Sequence, residues 1–422
     1  MQPIKWLVDF IDVRLGVKDI YAKELKGYLL PRNVNAWYTL GAVLIVLFKI
    51  QIITGILLLM FYVPDAEKAF ASVQYIMNEV PYGWLFRMLH AVGANVIMIA
   101  LVLHMLSVLF MGSYKGRREF TWLTGFTILN LALGLCLTGY LLPWSQLSFW
   151  ATTVATDAAG AIPVVGNYLV EFLRGGPTVD NQTLGRFFAL HVVGMPLVLL
   201  GLIGAHLFCV KRRGISSPPF GKEYKAAQEL PFFEHEKHPD GIPFFPNYFV
   251  KDAAVISFFI AFMLAIIFYA PGMFFPESAF QPADPFVTPP NIKPEWYFLF
   301  LFQLLKYFPG ELEFVGVVVI PTIAIVLLVL LPFLDRSPKR HFLNRKWILT
   351  AVILSAIGII ALSALSILET PPPAEAAQAG DQTAALYTEN CASCHGPTIA
   401  VPESANLHEI IAQGKHEGMP AW

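Results

Sequence analysis

Seven stretches of this sequence are long and apolar enough to cross a lipid bilayer, and they constrain the fold more than any other feature. A spanning helix needs about 20 largely apolar residues, and apolar residues make up 56% of the 422. Only 14% are charged, whereas a soluble chain carries about 25%. The sequence therefore predicts an all-α integral membrane protein with seven transmembrane helices. They cover about 37–62, 85–111, 121–142, 187–210, 252–270, 314–334 and 347–368.

The lysines and arginines between these stretches predict how the chain is oriented. They number six in residues 1–35, three in 113–119, seven in 211–251 and five in 335–346. The alternate loops contain only Lys68, then Arg174 and Arg186, then Lys293 and Lys306. Cytoplasmic loops are enriched in lysine and arginine, so we predict a cytoplasmic N-terminus and an extracytoplasmic C-terminal tail. The net charge of −1 gives no support for a nucleic-acid partner.

Two of the predicted helices each carry a pair of histidines at nearly the same spacing. His90 and His104 lie 14 residues apart in the second helix, and His191 and His206 lie 15 apart in the fourth. Each pair shares one broad helix face, with its members about 21 Å apart along the axis. His90 and His191 then lie near the outer surface, and His104 and His206 near the inner surface. Two stacked haems with bis-histidine ligation fit this pattern, whereas zinc needs four protein ligands at one point.

Glycines in two neighbouring helices repeat the histidine spacing. Gly41 and Gly55 lie 14 residues apart in the first helix, and Gly125 and Gly139 lie 14 apart in the third. Glycine is common where membrane helices approach closely, and a flat porphyrin needs such space. The two glycine pairs therefore support two haems, with Gly55 and Gly139 at the outer one and Gly41 and Gly125 at the inner one.

The end of the chain carries a second kind of haem signal. Residues 389–396 read ENCASCHG, and C-x-x-C-H is the pattern of covalent c-type haem attachment. Cys391 and Cys394 would form the thioethers and His395 the proximal ligand, the alternative being a disulfide or a chance pair of cysteines. Met419 resembles the sixth ligand of small soluble cytochromes c. His408 and His416 are the other candidates for that position.

The membrane part of the chain resembles cytochrome b of the bc-type quinol:cytochrome c oxidoreductases. PEWY, residues 294–297, is similar to the family's signature at the quinol-oxidising site, and GYLLPWSQLSFWATT, residues 139–153, is similar to the segment that closes the third helix. The resemblance covers about residues 20–340. The 15-residue spacing in the fourth helix resembles the photosynthetic and Gram-positive branch, where the protein is often split after that helix.

The resemblance implies a Q-cycle in a bacterial cytoplasmic membrane. Quinol is oxidised near the outer face, one electron goes to a Rieske iron–sulfur partner, and the other passes through two b haems to quinone at the inner face. It also implies a homodimeric complex and a further c-type cytochrome subunit or soluble cytochrome c as partner. The alternative is a membrane anchor whose haems relay electrons for another redox subunit, without a quinol-oxidising site of its own.

The resemblance also assigns roles to individual residues of this sequence. Glu295 of PEWY would bind quinol or receive its proton, and Tyr140 and Tyr297 are expected in the same pocket. Arg87 looks like the arginine that pairs with a propionate of the outer haem. For the inner quinone site, the expected residues are Lys211, Arg212, Lys251 and Asp252.

Two positions depart from the pattern of the resembled family. Thr39 stands where the photosynthetic branch has a cysteine that tethers an extra haem, so we expect that haem to be absent or held differently. Ser107 stands where the family often has an arginine for an inner-haem propionate. Arg118 or a lysine must then serve, or the propionate is solvated.

The predicted organisation has four parts. An N-terminal cytochrome b bundle, 1–213, contains four helices and two b haems, and a part with three helices and PEWY, 214–368, follows it. A Pro/Ala-rich linker, 369–382, then leads to a small helical c-type haem domain, 383–422.

Overall fold

The computed structural model describes residues 2–220, 238–289 and 292–369. Contacts divide the chain into two units, Met1–Leu368 and Glu369–Trp422. Apart from Glu369, the second unit lies outside the described residues. It includes the predicted linker and the predicted c-type haem domain. The contacts reported below belong to the first unit.

The predicted all-α membrane fold is confirmed in the described part of the chain, where seven helices are long and apolar enough to span a bilayer. We number these membrane helices in chain order. They are Ala36–Leu59, Gly83–Met111, Glu119–Leu141, Asn181–Arg213, Phe244–Tyr269, Val315–Leu334 and Lys346–Leu368. We call the face at which the first helix begins the inner face and the opposite one the outer face.

The fourth and fifth membrane helices begin earlier than their apolar stretches indicate. Asp180 caps the fourth helix, because its side chain accepts hydrogen bonds from the backbone N–H groups of Gln182 and Thr183. Such a cap satisfies the free donors of a helix start, so a polar first turn precedes the apolar stretch. The fifth helix begins with an irregular turn, Phe244–Tyr248, in which the backbone of Phe245 is extended. Hydropathy detects neither extension, since both are local hydrogen-bonding features.

Shorter elements connect the membrane helices. The strands β1 (Leu29–Leu30) and β2 (Ile242–Pro243) pair antiparallel, with Leu29 opposite Pro243. The remaining α-helices are Gln2–Leu15, Val17–Ile20, Ala69–Asn78, Gln146–Asp157, Gly166–Arg174 and Leu299–Leu305. Short 3₁₀ segments are Ala36–Tyr38, Ala158–Ala161, Glu277–Phe280, Gly310–Leu312 and Phe342–Asn344.

The second membrane helix lies at the centre of the bundle. Half of its apolar window is buried by other parts of the chain, whereas none of the window in the seventh helix is. Leu47 of the first helix and Met263 of the fifth pack with Val92 and Val96 of the second. The third and fourth helices pack against each other. The second helix can therefore present side chains both to the first and fifth helices and to the third and fourth helices.

Large apolar side chains cover the outside of the bundle. A helix that is apolar on all sides is either buried in protein or surrounded by lipid. The described residues do not bury these outer faces. The chain is therefore a multi-pass membrane protein, with lipid or partner subunits around the bundle. Exposed examples are Ile53, Leu197, Phe258, Ile323 and Ile360.

A buried polar network ties the last two membrane helices to the rest of the bundle at the inner face. The Lys115 ammonium lies 2.5 Å from the Asp335 carboxylate, which also accepts a hydrogen bond of 2.6 Å from the Tyr114 hydroxyl. Arg345 donates to that hydroxyl and to the backbone carbonyl of Leu109. All the charges are paired, as burial demands. The network fixes the loop between the sixth and seventh helices against the loop after the second.

Candidate haem and quinol sites

The outer pair of histidines comes together between the second and fourth membrane helices. The rings of His90 and His191 lie 6.2 Å apart, centroid to centroid, and are nearly perpendicular. Metal–imidazole bonds are about 2 Å long, so this separation leaves room for one metal ion between the two rings. The sequence predicts this pairing from spacing alone, and the fold brings the two residues to the same depth.

Threonine side chains and a helix carbonyl hold the outer histidine rings by their Nδ1 atoms. Thr54 Oγ1 donates to the Ile50 carbonyl at 2.7 Å and lies 3.0 Å from His90 Nδ1, so it accepts from that ring. His191 Nδ1 donates to the Leu135 carbonyl at 3.0 Å. A proton on Nδ1 leaves Nε2 as the free lone pair in a neutral imidazole. This arrangement orients a histidine ligand towards a metal.

The glycines leave the space that the histidine rings occupy. A Cβ atom on Gly55 would lie 3.2 Å from His90 Cε1, and one on Gly139 would overlap the His191 ring. At the inner pair, a Cβ on Gly125 would lie 3.0 Å from His206 Cε1, and one on Gly41 3.8 Å from His104 Cε1. Each glycine therefore faces one histidine. The residues fit two b-type haems, one per histidine pair, and the four imidazoles would hold these groups.

A π-helical turn explains the unequal histidine spacings. Leu190–Gly194, which contains His191, is π-helical within the fourth membrane helix. A π-turn holds one residue more than an α-turn over nearly the same length. The extra residue compensates for the spacing of 15 in this helix against 14 in the second. His191 and His206 therefore keep the relative positions that a spacing of 14 gives in a regular helix.

The inner pair is anchored differently from the outer pair. His206 Nδ1 lies 3.0 Å from Thr124 Oγ1, which donates to the Phe120 carbonyl and so accepts from the ring. His104 Nδ1 is buried and has no hydrogen-bond partner among the described residues. Leu40 precedes Gly41, whereas a threonine precedes each of the other three glycines. This Thr-Gly repeat is visible in the sequence as a signal for the histidine contacts.

The three residues predicted for the quinol pocket lie together at the outer face. Glu295 is partly buried, and burial raises the pKa of its carboxyl to about 7. Burial also raises the pKa of the Tyr297 hydroxyl above its usual range, and the neighbouring Cys136, Glu295 and Tyr140 add to this effect. Cys136 belongs to the third membrane helix. Its contact with Tyr297 places it in the pocket as well.

A segment from the N-terminal half holds the loop before PEWY in place. Ser145 forms an isolated antiparallel bridge with Pro282, and the backbone N–H of Gln146 donates to the Gln281 carbonyl at 3.0 Å. The Trp150 indole donates to the Asp284 carbonyl at 3.2 Å. The segment that follows the third membrane helix thus positions the chain that leads to PEWY.

Arg87 lies beside a cavity of about 210 Å³ at the outer face. Its guanidinium lies 5.0 Å above the Phe275 ring and 3.8 Å from Met77 Sδ. None of these partners is an anion, so the arginine can still bind one, as expected of a propionate partner. Residues lining the cavity include Met77, Asn78, Arg87, Pro143 and Phe280.

The residues predicted for the inner quinone site differ in burial and in hydrogen-bond partners. Asp252 is buried and its Oδ1 has no hydrogen-bond partner among the described residues, whereas the neighbouring Lys251 is exposed and donates to the Val34 carbonyl at 3.1 Å. Lys211 and Arg212 are exposed at the end of the fourth membrane helix. Tyr248, one helical turn before Asp252, also has a buried hydroxyl without a described partner. Sequence reasoning missed Tyr248, because an aromatic residue at a helix end resembles an interfacial anchor.

The two residues that depart from the family pattern, Thr39 and Ser107, each donate a hydrogen bond to a nearby backbone carbonyl. Thr39 is fully buried and donates to the Ala36 carbonyl at 2.7 Å. Ser107 donates to the His104 carbonyl at 2.7 Å. The buried Arg118, considered above for an inner-haem propionate, donates to the Gly214 carbonyl at 2.6 Å. It therefore also holds the end of the fourth membrane helix.

The residues predicted to bind a c-type haem, Cys391, Cys394, His395 and Met419, lie outside the described residues. Their assignment stays a prediction.

Comparison with known proteins identifies the family. Residues 25–214 match the family "Cytochrome b/b6/petB", and residues 282–388 match "Cytochrome b(C-terminal)/b6/petD". Cytochrome b of Allochromatium vinosum is 38% identical over 361 residues, covering 83% of this chain and 86% of that protein. Cytochrome b/c1 of Bradyrhizobium diazoefficiens is 38% identical over 359 residues, covering 84% of this chain and 50% of that protein.

A solved structure shares the fold of this chain. The structure titled "Hyperthermophilic respiratory Complex III" contains a chain that superimposes with a TM-score of 0.77 and 36% sequence identity. The match covers 90% of this chain and 96% of that one. The family carries b-type haems and uses quinone. This chain therefore belongs to the cytochrome b family and is a subunit of a bc-type quinol:cytochrome c oxidoreductase.

Proposed function

We propose that this chain oxidises quinol at the outer cluster of Glu295, Tyr297, Tyr140 and Cys136 and takes part in a Q-cycle. The observation that carries the proposal is the buried Glu295 carboxyl, whose pKa is raised to about 7. A carboxyl with a pKa near the working pH can accept a proton and release it again. An electron-relaying membrane anchor has no use for such a group in this pocket.

At the outer site, quinol loses two electrons and two protons and leaves as quinone. The ionised Glu295 carboxylate accepts one hydroxyl proton and passes it to the outer face, and the second hydroxyl proton is released to water at the same face. Tyr297 and Tyr140, whose hydroxyls lie in the same cluster, orient the quinol ring. One electron leaves to a Rieske iron–sulfur partner and the other enters the bundle.

Bound between the paired histidines, the b-type haems would supply one-electron transfer between the two faces. The chain contributes the ligands, His90 with His191 and His104 with His206. Threonine contacts to Nδ1 keep three of these rings from rotating, and the facing glycines provide the space. Arg87 is placed to neutralise a propionate at the outer site.

At the inner face, quinone takes up two electrons and two protons and becomes quinol. Asp252 and Tyr248 carry buried oxygens that the described residues leave without partners, so they are suited to bind a quinone carbonyl or to deliver a proton. Lys251, Lys211 and Arg212 supply positive charge at this membrane surface. Proton uptake inside and release outside would add to the proton gradient.

The C-terminal tail would accept the high-potential electron through a covalent c-type haem. Cys391 and Cys394 would form the thioethers, with His395 and Met419 as axial ligands. The matched Cytochrome b/c1 supports this idea, since its name joins two cytochromes in one protein. A further c-type subunit or soluble cytochrome c would take the electron onward. We also propose a homodimer in the bacterial cytoplasmic membrane, with the N-terminus cytoplasmic and the tail outside.

The replacement Glu295→Gln tests the proposal, because it keeps the size of the side chain and removes its acid–base chemistry. We expect quinol oxidation by the purified complex to fall by about 100-fold or more, with both b-haem spectra unchanged. In the unmodified protein, kcat/KM should rise with pH through about 7, since only the ionised carboxylate accepts a proton. This rise should disappear in the variant.

Glu277→Gln is the matched control, since Glu277 is an exposed carboxylate in the same outer loop. It should leave both the rate and its pH profile unchanged. Normal turnover in Glu295→Gln would contradict the proposal and favour the electron-relaying anchor.

A further inference from the structure

The segment that carries Glu295 is bonded directly to the second membrane helix. The Trp296 indole N–H donates a hydrogen bond of 2.9 Å to Asn95 Oδ1. Asn95 is 5% exposed, and its own Nδ2 donates to the Ala91 carbonyl at 3.2 Å. Both polar atoms of the Asn95 amide are therefore hydrogen-bonded, since Nδ2 donates to Ala91 and Oδ1 accepts from Trp296.

The position of Asn95 relates the quinol pocket to the outer histidine pair. Asn95 follows His90 by five residues, which is about 140° around the helix and 7.5 Å along its axis. One side of the second membrane helix thus presents the outer histidine, and another side holds the loop with Glu295. Burying a polar side chain in an apolar bundle costs free energy unless the side chain is hydrogen-bonded. This cost favours the Asn95–Trp296 contact over arrangements that leave the amide without a partner.

Residues 295–298 form one compact turn around the bonded indole. The Phe298 N–H donates to the Glu295 carbonyl at 2.8 Å. The Trp296 and Tyr297 rings lie 5.3 Å apart, edge to face, and both pack against the core that contains the second helix. Glu295 and Tyr297 are the immediate neighbours of Trp296, so a fixed indole fixes the direction of both side chains.

We propose that Asn95 is a positioning residue for quinol oxidation, which holds Trp296 and thereby sets where Glu295 and Tyr297 meet the quinol. The proposal rests on the function proposed above and adds to it a residue that acts through Trp296. Without the Asn95 acceptor, the indole N–H is buried without a partner, and such a group costs more than the lost bond itself. The turn then shifts, and the carboxylate moves away from the quinol hydroxyl.

The test uses Asn95→Leu, Trp296→Phe and the double variant in the intact complex, with a short-chain quinol as substrate. Each single variant should lower kcat/KM by about tenfold and displace the midpoint of its pH profile. The double variant should be no worse than the more severe single one, because both remove the same interaction. The carboxyl band of Glu295 in infrared difference spectra, identified by its loss in Glu295→Gln, should titrate with a displaced midpoint too.

Asn130→Leu is the matched control. Asn130 is an exposed asparagine of the third membrane helix that donates only to the Phe126 carbonyl of its own helix in the described contacts. It should keep the normal rate, midpoint and infrared band. Haem content is measured for every variant, and Trp296→Phe, which keeps an aromatic ring, carries the test if Asn95→Leu does not assemble.

The possible outcomes separate this proposal from the one on which it rests. If Glu295→Gln is inactive while the Asn95 and Trp296 variants keep the normal pH midpoint and their effects add, Asn95 has only a structural role and the inference is wrong. If Glu295→Gln itself retains full activity, the proposed quinol site is wrong and the inference fails with it.

Discussion

At the scale of single residues, three of the four histidines contact the threonine that precedes the glycine facing them. Thr54 and Thr124 contact His90 and His206 by their hydroxyls, at 3.0 Å in both cases. A hydrogen bond from Nδ1 fixes the ring and makes Nε2 a stronger donor to a metal. Spacing predicts the four ligands but not these contacts, because the contacts join the first helix to the second and the third helix to the fourth.

The replacement Thr54→Val tests this role at the outer site. Valine has the same shape and no acceptor, so His90 becomes a weaker donor and the oxidised haem loses stabilisation. A hydrogen bond contributes about 1 kcal/mol, or about 40 mV for one electron. We therefore expect a redox titration to show the outer b-haem potential raised by tens of millivolts and the inner one unchanged.

The control is Thr127→Val in the third membrane helix. Thr127 is exposed, and its described bond goes to the Leu123 carbonyl of its own helix. It should leave both potentials unchanged. An equal shift in both variants, or none in Thr54→Val, would show that the threonine does not tune the ligand.

At the scale of elements, the membrane helices were largely predictable and their irregularities were not. Apolar stretches located all seven helices, because lipid requires continuous apolar surface. The π-turn at Leu190–Gly194 has no hydropathy signal, yet it reconciles the spacings of 15 and 14. Contacts such as Trp296–Asn95 and Lys115–Asp335 join residues about 200 positions apart. Such pairs depend on how helices assemble, which one sequence does not specify.

Deletion and insertion at Val193 test the compensation by the π-turn. Val193 is exposed within this turn. Its deletion gives a histidine spacing of 14, which a regular helix accommodates with the ligands in place. Insertion of one alanine after it gives 16 and rotates one ligand by about 100°. We expect two b haems per chain by haemochrome assay in the deletion variant and fewer in the insertion variant. Equal haem loss in both would contradict the compensation.

At the scale of the whole molecule, the proposed quinol site is assembled from both halves of the chain. The segment after the third membrane helix supports the loop before PEWY through Gln146 and Trp150, and Asn95 holds the loop itself. The family resemblance predicted Glu295, Tyr140 and Tyr297, and these lie together. The proposed inner quinone site was less predictable, since Lys251 and Asp252 are neighbours in sequence but face different surroundings.

The last prediction concerns the covalent c-type haem expected in the C-terminal tail. If the N-terminus is cytoplasmic, as the sequence predicts, seven crossings would place residues 383–422 on the outer side, where the proposed quinol oxidation at Glu295 would release its electrons. A c-type haem attached there stays bound under denaturing conditions, because thioethers are covalent, whereas b haems are lost. We therefore expect a haem-stained band for this chain on a denaturing gel, and its loss in a Cys391→Ser, Cys394→Ser double variant that keeps both b haems. Cys209→Ser, in the fourth membrane helix, should keep the band. A stained band in the double variant, or none in the unmodified chain, would show that the tail carries no covalent haem.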